Sequence, residues 1–442
     1  MKAGASLEAR LAARCAPGIV PGLQRMRALL KLLGNPERGL PVVHVAGSNG
    51  KGSVCRMIES VLAEHGLKTG LYISPHLVSF NERFQVRGRP ATDAALERSA
   101  RPLMKALSSP AALKAGPATY FEALTALAFL HFKRIGAEVV VLETGLGGRL
   151  DCTNVVERPL LTVITNISLE HTQWLGKTEA AIAFEKAGIL KRGAPLVTAA
   201  RGRALSVILE RFREVQGTRK VPCLALTRGK EWWVEAWDEL PEEQSQTVAL
   251  RHLGEKHLLA LPLLGEHQHE NLACALAALK LLGPRFELGW KSVMLGLAKA
   301  EWPGRLQALG TRPLSLVDGA HNPDGARVLG DYLRGLKERR KFRRTAFVVG
   351  VLKDKDWRRM FREWEPLADK FFLATPPDAR ALAKEEAAAW FQGRAQADRV
   401  RICPDLPEAW EAARRWAGSG GLVVAAGSLY SAGALLKKYS KH

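Results

Sequence analysis

The sequence has no long apolar run, and this absence excludes one large class of protein. No segment of the 442 residues approaches the roughly 18 consecutive apolar residues that a bilayer-spanning helix needs. The first residues, MKAGASLEARLAARCAPG, include acidic side chains and lack an apolar core, so a secretory signal is not expected. We therefore expect a cytoplasmic protein with no membrane contact.

Paired cysteines are also missing. The six cysteines lie far apart and form no C-x-x-C motif. In a chain of this length they are interpreted as reduced and mostly buried, and a cysteine-based zinc site is not expected.

The formal net charge of +21 permits two interpretations. It is typical of a nucleic-acid-binding surface, but also of a basic enzyme whose ligands are polyanions. The basic residues are spread over the whole length, and the densest run, residues 337–344, is interpreted as a solvated helix end that leads into a strand. We expect no nucleic-acid partner.

Apolar runs typical of strands alternate with helical stretches through most of the chain. Runs that are apolar on both faces and separated by helices indicate a parallel α/β sheet. The predicted strands are 42–46, 70–73, 138–143, 160–165, 314–317, 346–349, 370–373 and 422–425. Residues 228–262 are Trp-rich and predict β-hairpins appended to the first domain. We predict one α/β domain over residues 1–299 and a second over residues 300–442.

A glycine-rich segment lies between the first predicted strand and a predicted helix, as a phosphate-binding loop does. Residues 44–53 read HVAGSNGKGS, in which backbone N–H groups can surround phosphate oxygens while Lys51 adds a positive charge. The spacing departs from G-x-x-x-x-G-K-[ST], because Val45 replaces the first glycine and Gly52 separates Lys51 from Ser53. The alternative is a glycine-rich turn without a ligand.

This variant, A-G-[ST]-N-G-K-G-[ST], resembles the loop of the Mur ligase superfamily and, more narrowly, of the folylpolyglutamate synthase and dihydrofolate synthase family. Further family motifs follow in order: SPHL at 74–77, TYFE at 119–122, LETGLGGRLD at 142–151, HTQWLG at 171–176, EKAGI at 185–189, WPGRLQ at 302–307, DGAHNP at 318–323 and GSL at 427–429. The resemblance implies an α/β fold: a Mur-ligase-like P-loop domain with a parallel central sheet and appended β-hairpins, then a smaller Rossmann-like domain.

The resemblance implies two Mg²⁺ ions bridged by Glu143, with Ser74 on one and His171 on the other. Glu143 ends a predicted strand at a glycine-rich turn, where its carboxylate can face a ligand crevice. Mg²⁺ prefers oxygen ligands and keeps several waters, so one or two carboxylates with phosphate are enough. Taken alone, Glu143 is equally compatible with a structural strand-end acid, and His171 with a loop histidine.

Lys186 lies at a predicted helix end, where a lysine is ordinarily solvated. The resemblance implies instead that Lys186 is carbamylated and that its carbamate contacts the second Mg²⁺. A dication would repel an unmodified ammonium group, and the modification removes that repulsion.

The remaining site residues are also implied by the resemblance. Lys51, Lys186 and His321 are implied to act in catalysis, with His321 on the acyl phosphate or the incoming glutamate. The ATP site comprises Ser48, Asn49, Gly50, Lys51, Gly52, Ser53, Asn271, Arg305 and Asp318. The folate-type substrate is implied to contact Thr119, Tyr120, Phe121, Glu122, Leu150, Asp151 and Cys152.

Three other features have plainer interpretations or qualify the resemblance. The HQH sequence at 267–269 predicts the start of a helix rather than a metal pair, and the tryptophans at 232, 233 and 237 predict hairpin packing rather than a platform for stacked bases. Val20 occupies the place where bifunctional relatives can carry an aspartate on the pterin. This difference bears on the use of dihydropteroate.

We predict a monomeric ATP-dependent ligase that joins L-glutamate to dihydropteroate and to reduced folates through an acyl phosphate. The alternatives are a folylpolyglutamate synthase without dihydropteroate activity, a peptidoglycan Mur ligase, a nucleic-acid-binding NTPase and a non-catalytic nucleotide-binding module. The SPHL segment and residues 120–122 oppose the peptidoglycan ligase. Lys51, Glu143 and His171 oppose the non-catalytic module.

Overall fold

The computed structural model describes residues 5–392 and 397–440. Residues 1–4, 393–396 and 441–442 lie outside this part. The first four belong to the N-terminal segment in which no secretory signal is expected, and the others belong to the predicted C-terminal domain. The chain forms two compact units: Met1–Glu235 with Ala249–Leu259 and Glu270–Ala300, and Ala236–Val248 with Ala260–His269 and Glu301–His442. Two inner segments, Ala236–Val248 and Ala260–His269, group with the second unit. The single domain boundary expected between residues 299 and 300 stays a prediction.

Helices and strands alternate along most of the described chain. The helices are α1 Leu7–Ala12, α2 Gln24–Leu32, α3 Lys51–Glu64, α4 Asp93–Leu107, α5 Pro110–Lys114, α6 Tyr120–Ile135, α7 Thr172–Leu175, α8 Glu179–Ala187, α9 Gly202–Gln216, α10 His267–Phe286, α11 Trp290–Ala298, α12 Pro323–Arg339, α13 Trp357–Trp364, α14 Lys384–Ala389, α15 Leu406–Ala417 and α16 Leu429–Tyr439. Short 3₁₀ helices lie at Phe80–Arg83, Cys152–Val155, Pro241–Glu243 and Ala397–Arg399.

The strands include all eight that the sequence predicts, with no end shifted by more than one residue. They are β1 Val42–Ala46, β2 Thr69–Tyr72, β3 Phe84–Val86, β4 Arg89–Pro90, β5 Val139–Glu143, β6 Leu161–Ile164, β7 Leu196–Thr198, β8 Cys223–Ala225, β9 Trp232–Leu240, β10 Ser245–His252, β11 Glu255–Leu261, β12 Gln307–Thr311, β13 Leu314–Val317, β14 Thr345–Val349, β15 Lys370–Leu373, β16 Val400–Ile402 and β17 Leu422–Ala426.

The first unit is built on a sheet of eight described strands in the order β4-β3-β2-β5-β1-β6-β7-β8. The parallel strands are, in sheet order, β2, β5, β1, β6, β7 and β8. Strands β3 and β4 pair antiparallel at one edge of the sheet. Every residue of β1, β5 and β6 is buried, as expected for strands covered by helices on both faces. Because the central strands are parallel, the loops that follow them meet at one edge of the sheet.

Helices α6 and α3 of the first unit are held in place by specific contacts, which help to position these loops. A reciprocal capping box between Thr119 and Glu122 starts α6, and Gly136 ends it in the left-handed conformation. Helix α3 packs closely on α11, where Ser60 Oγ donates to the Gly296 carbonyl at 2.7 Å. A Cβ on Gly296 would lie 2.4 Å from Val61 Cα, so only glycine permits this approach.

The second unit contains a sheet of six described strands in the order β12-β13-β17-β14-β15-β16. Strand β12 is antiparallel to β13, and the others are parallel. An aromatic cluster fills one face, in which the ring centroids of Phe347 lie 5.8 Å from those of Trp364 and Phe371. The predicted fold, a P-loop α/β unit with a separate C-terminal α/β unit, is confirmed.

Strands β9, β10 and β11 form a separate three-stranded sheet over the predicted hairpin segment, whose attachment to the first domain stays a prediction. Trp232 is buried, and the Trp237 ring lies against His269 and under the Arg339 guanidinium. These two tryptophans pack as predicted, whereas Trp233 is half-exposed.

The basic run at residues 337–344 ends α12 and leads toward β14, and its Arg339 is exposed, as expected for a solvated helix end. Arg339 pairs with the buried carboxylate of Glu239, and Arg340 pairs with Glu242. Both partners lie about a hundred positions earlier in the chain, so the sequence gives no local sign of these ion pairs.

Across the described ranges, no helix is both long and apolar enough to cross a bilayer. The six cysteines are all free thiols. The absence of disulfides among them agrees with the interpretation of the cysteines as reduced.

Candidate active site

Four loops that follow neighbouring parallel strands form the candidate site of the first unit. In sheet order, β2 leads to Ser74, β5 ends at Glu143, β1 leads into the glycine loop and β6 leads into residues 165–171. The strand register places Val45 beside Glu143 and Ala46 beside Ile164. The structure therefore brings together most of the residues that the sequence assigned to phosphate and metal binding.

The glycine loop at residues 47–50 connects β1 to α3 and depends on glycine at two positions. Gly47 has φ +149°, and a Cβ there would lie 1.7 Å from Thr165 Oγ1. Gly50 is the N-cap of α3 with φ +81°, and a Cβ there would lie 2.1 Å from Asn271 Oδ1. Within the described chain no side chain caps α3, and an uncapped helix start of this kind suits an anion.

The loop after β6 holds the glycine loop in shape. Thr165 Oγ1 donates to the Asn49 carbonyl at 2.7 Å, and the Asn49 N–H donates to Asn166 Oδ1 at 3.0 Å. Ser48 Oγ bonds both the N–H and the carbonyl of Ser168, each at 3.0 Å. Thr165, Asn166 and Ser168 therefore preorganise the loop. Their supporting role was missed by the sequence analysis because it depends on contacts more than a hundred residues apart.

Lys51 is the first residue of α3, and its ammonium group lies over the loop. Its Nζ donates to the carbonyls of Gly47 at 2.9 Å and Ser48 at 3.1 Å. A charge held at the mouth of the loop in this way is positioned to meet phosphate oxygens. Gly52 and Ser53 follow in the first turn, and Ser53 is buried.

Glu143 is buried at the end of β5, and its Oε2 accepts the Ser74 N–H at 3.0 Å. Burial is the main reason that the pKa of the nearby Cys55 thiol is raised, and the negative charge of Glu143 adds to the effect. The strand register places Glu143 beside Val45, shortly before the glycine loop. The carboxylate lies at the carboxyl end of β5, and its role as a metal ligand stays a prediction.

The donor groups of this edge fit a hard cation bound largely through phosphate. No cluster of three or more His, Cys, Asp or Glu side chains suited to a metal occurs within residues 5–392 and 397–440. Mg²⁺ does not require one, because a carboxylate, waters and nucleotide phosphates complete its shell.

Lys186 is buried rather than solvated, which corrects the interpretation of its helix end taken alone. Its Nζ donates to the Gly47 carbonyl and to Glu170 Oε1, each at 2.7 Å. Burial lowers the pKa of Lys186 to about 8, although Glu170 opposes the shift. Burial alone would raise the pKa of Glu170, but the positive charges of Lys186 and Lys51 outweigh it, and the pKa is lowered.

Glu170 was missed by the sequence analysis. It immediately precedes His171, the N-cap of α7, whose backbone φ of +45° turns the chain sharply at this point. The sequence signal available for Glu170 is that its carboxylate directly precedes His171, an expected metal ligand. The pair of Glu170 and Lys186 places two opposite charges directly under the glycine loop.

Asp151 braces the glycine-rich turn after β5. Its Oδ2 accepts the N–H groups of Gly145 at 3.0 Å and Leu146 at 2.8 Å, and its Oδ1 accepts the N–H and hydroxyl of Thr153 at 2.9 and 2.5 Å. Burial raises the pKa of Asp151, and these hydrogen bonds oppose the increase. The Asp151 carboxylate thus points at the loop backbone and shapes the turn.

The residues expected at the folate-type substrate lie at the start of α6 and on this turn. Phe121 stacks on Tyr72 with centroids 6.1 Å apart, and its ring lies where a Cβ on Gly145 would project. Cys152 Sγ lies 3.0 Å from Thr125 Oγ1. Leu150, on the turn after β5, is partly exposed.

Arg25 connects the N-terminal segment to α6. Its guanidinium pairs with the buried carboxylate of Glu122, and it also donates to the Val20 carbonyl. Thr119 caps the helix, and Tyr120 donates its hydroxyl to Glu8 at 2.9 Å. The Val20 side chain itself is half-exposed, so an aspartate contact at this place has no equivalent here.

The second unit has its own candidate residues at the carboxyl end of β13. Asp318 is buried and accepts the N–H groups of Leu306 at 2.9 Å and Ala320 at 2.8 Å. Burial raises the pKa of Asp318, while Arg305 opposes the shift. His321 Nδ1 donates to the Gly319 carbonyl at 2.8 Å, which leaves Nε2 as the acceptor nitrogen of the neutral ring. Arg305, Asp318 and His321 therefore cluster within this unit.

The HQH segment starts α10, as predicted. Gln268 Nε2 lies 3.1 Å from His267 Nε2, and His269 Nε2 lies 3.1 Å from Gln246 Oε1. Burial and the charge of Arg305 lower the pKa of His267 to about 4. The two histidines make separate hydrogen bonds, and neither belongs to a metal cluster in the described chain.

Comparison with known families agrees with this geometry. Residues 45–279 match the Mur ligase middle domain, and residues 304–429 match the Mur ligase glutamate ligase domain. The dihydrofolate synthase/folylpolyglutamate synthase of Bacillus subtilis is 37% identical over 384 residues, which cover 83% of this chain and 84% of the relative.

Solved structures show the same fold. The Mycobacterium tuberculosis folylpolyglutamate synthase complexed with ADP superposes with a TM-score of 0.87 at 32% identity, covering 99% of this chain and 98% of that one. Escherichia coli FolC in complex with DHPP and ADP gives a TM-score of 0.83 at 30% identity, covering 97% and 96%.

Proposed function

Because the chain belongs to the folylpolyglutamate synthase and dihydrofolate synthase family of the Mur ligases, we propose that it joins L-glutamate to a pterin- or folate-type carboxylate. It is an ATP-dependent amide-forming ligase. One observation carries the proposal: an uncapped, glycine-lined helix start lies at the same sheet edge as the buried Glu143 and the aromatic residues of α6.

The first step is transfer of the γ-phosphoryl group of ATP to the substrate carboxylate. A carboxylate oxygen bonds to the γ-phosphorus, the bond to the β–γ bridging oxygen breaks, and ADP leaves. The loop N–H groups and Lys51 hold the phosphates and stabilise the charge that develops on them. Asn271, which abuts Gly50, is proposed to contact the adenine side.

In the second step the neutral amine of L-glutamate attacks the acyl carbon. A tetrahedral intermediate forms, the carbon–oxygen bond to phosphate breaks, and the amine loses its proton as the amide is completed. We assign Arg305 to the phosphates, Asp318 to the ribose side and His321 to the acyl phosphate or glutamate. Support comes from their clustering at one strand end and from the ring of His321, which presents an acceptor nitrogen.

Two Mg²⁺ ions are part of the proposal, held by Glu143, Ser74 and His171. Bound Mg²⁺ neutralises phosphate charge and polarises the transferred group. The buried carboxylate of Glu143, at the loop edge and already oriented by the Ser74 N–H, supports this assignment.

We further propose that Lys186 is carbamylated in the active enzyme. The neutral amine attacks the carbon of CO₂ and loses a proton, which yields a carbamate. Burial supports this, because a Lys186 pKa of about 8 makes the neutral amine accessible near neutral pH. A carbamate on Lys186 would lie close to the carboxylate of Glu170, and a bound cation would offset the repulsion between the two negative groups.

The substrate range is proposed to include both dihydropteroate and reduced folates. The Bacillus subtilis relative carries both activities in its name, and the Escherichia coli relative binds DHPP. The alternative is a folylpolyglutamate synthase without dihydropteroate activity, and Val20 is the residue that favours it.

The test is ATP-dependent incorporation of labelled L-glutamate into dihydropteroate and, separately, into tetrahydrofolate. Incorporation into both supports the proposal, and incorporation into tetrahydrofolate alone supports the alternative. Incorporation into neither would contradict both. Addition of DNA or RNA should leave ATP turnover unchanged, whereas stimulation would indicate a nucleic-acid-dependent NTPase.

We propose that the enzyme acts as a monomer in the cytoplasm. The six free thiols support a reducing compartment. Each proposed ligand, whether ATP, L-glutamate or the folate-type substrate, is assigned to residues of a single chain.

A further inference from the structure

A basic groove lies on the first unit, away from the glycine loop. It has a volume of about 620 Å³ and is formed by the ends of α2 and α6, the middle of α4 and the segment before β1. The substrate-side Phe121 and the groove residue Arg134 are thirteen positions apart on α6, a rise of about 20 Å. The groove is therefore separate from the candidate active site.

Four cations and no acidic side chain line this groove. They are Arg38, Arg98, Lys133 and Arg134, contributed by three different elements. In the described chain Arg98 and Arg134 have no ion pair, and both are exposed. Their charges are therefore available to a ligand, unlike those of the ion-paired Arg339 and Arg340.

The hydrogen-bonding groups of the groove favour separated carboxylates over a phosphate cluster. Phosphate cradles use converging backbone N–H groups, but here the Gly34 N–H is bonded to Lys31 O and the Asn35 N–H to Leu30 O. Guanidinium groups pair well with carboxylates, which a flexible chain can place on each arginine in turn.

An acceptor on the groove wall suits a ligand that also has N–H groups. Pro102 lies within α4 and lacks an N–H, so the carbonyl of Arg98 does not have the i+4 N–H partner that it would have in a regular helix. Both Pro102 and Arg98 line the groove. A peptide-like chain offers carboxylates to the cations and amide N–H groups to this carbonyl.

We propose that the groove bounded by Arg38, Arg98, Lys133 and Arg134 binds a short oligo-γ-glutamyl chain. The preference for a polycarboxylate comes from the groove itself, whereas its identity as a glutamyl chain rests on the proposed function. The groove would bind the γ-glutamyl chain of a long product, at a place separate from the carboxylate that reacts.

The test is fluorescence anisotropy of a labelled penta-γ-glutamate peptide at low ionic strength, without ATP or pterin. The double variant Arg98→Gln/Arg134→Gln should weaken binding about tenfold or more, since two charge-assisted contacts are lost. The matched control is Arg213→Gln/Arg219→Gln, which removes the same charge from exposed arginines elsewhere on the unit and should bind as the unmodified protein does. Ligation of glutamate to dihydropteroate should be unchanged in both variants.

Three results would overturn the proposal. They are no binding to the unmodified protein, equal weakening by the two double variants, and no weakening by either. Competition supplies a further criterion, because tripolyphosphate displacing the peptide more strongly than unlabelled tri-γ-glutamate would assign the groove to phosphates instead. Failure of the ligation assay alone would contradict the proposed function and leave the binding result standing.

Discussion

Helices α3 and α12 begin in the same architectural setting but treat their N-termini differently. Each follows a buried parallel strand, β1 in the first unit and β13 in the second. Gly50 starts α3 without a side-chain cap, whereas Asn322 Oδ1 accepts the Gly325 N–H at 2.7 Å at the start of α12. Pro323 then fills the first position of α12, where a proline is well tolerated.

The difference shows how similar turns acquire different roles. Uncapped N–H groups and a lysine support the phosphate site that we propose at the start of α3. At the start of α12, the Asn322 side chain already accepts an N–H group of the first turn. This helix start therefore supports its turn structurally. The functional groups that we propose for this unit are those of Arg305, Asp318 and His321.

The largest effect is expected for Lys51→Ala. Loss of the charge at the phosphates should lower turnover by about 10²–10³-fold or more, while the fold is retained because the lysine contributes little to packing. Steady-state kinetics and circular dichroism measure the two effects.

The matched control is Arg327→Ala, a cation in the first turns of α12 whose exposed ion pairs contribute little stability. It should keep nearly all activity. A well-folded Lys51→Ala variant with more than about a tenth of normal turnover would contradict the phosphate role.

A collapse of activity is also expected for Glu143→Gln, which keeps the size of the side chain but removes the charge proposed to hold Mg²⁺. Raising the Mg²⁺ concentration should restore little activity. Glu138→Gln, at the opposite end of the same strand region, is the control and should keep its metal dependence. Unchanged metal dependence in Glu143→Gln would make this acid structural.

Lys186→Ala should be nearly inactive, and Lys186→Arg equally so, because arginine keeps the charge but cannot form a carbamate. Small carboxylic acids should partly rescue the alanine variant by occupying the vacated space. The covalent change is checked by ¹³CO₂ labelling followed by NMR. Labelling absent from the active enzyme, together with full activity of Lys186→Arg, would refute the carbamate.

The smallest effect is expected for Asn322→Ala, which removes the side-chain cap of α12. The free energy of unfolding should fall by about 1 kcal/mol. Denaturant unfolding measures it, and no loss of stability would mean that the N–H groups of α12 do not depend on this cap.

The central strands and the order of the site residues could be predicted because their signals are local. An apolar run before HVAGSNGKGS, and another ending at Glu143, are visible within ten residues. The short strands β7, β8 and β16 carry too few residues for a periodic pattern. They form because neighbouring strands supply hydrogen-bond partners.

Buried charges were the least predictable part of the site. The sequence offers nothing near Lys186 to show that it is buried against Gly47, and its partner Glu170 lies sixteen positions away. The Arg25 to Glu122 pair spans 97 positions. Such pairs depend on which loops the sheet brings together, and that is a property of the whole fold.

The acyl phosphate is the central chemical claim, and an isotope transfer tests it most directly. A folate-type substrate labelled with ¹⁸O in its reacting carboxylate is turned over with ATP and L-glutamate, and the released phosphate is examined by ³¹P NMR. The account predicts that one labelled oxygen passes from the carboxylate to each phosphate, because that oxygen bridges carbon and phosphorus in the intermediate. Amide formation with unlabelled phosphate would contradict it.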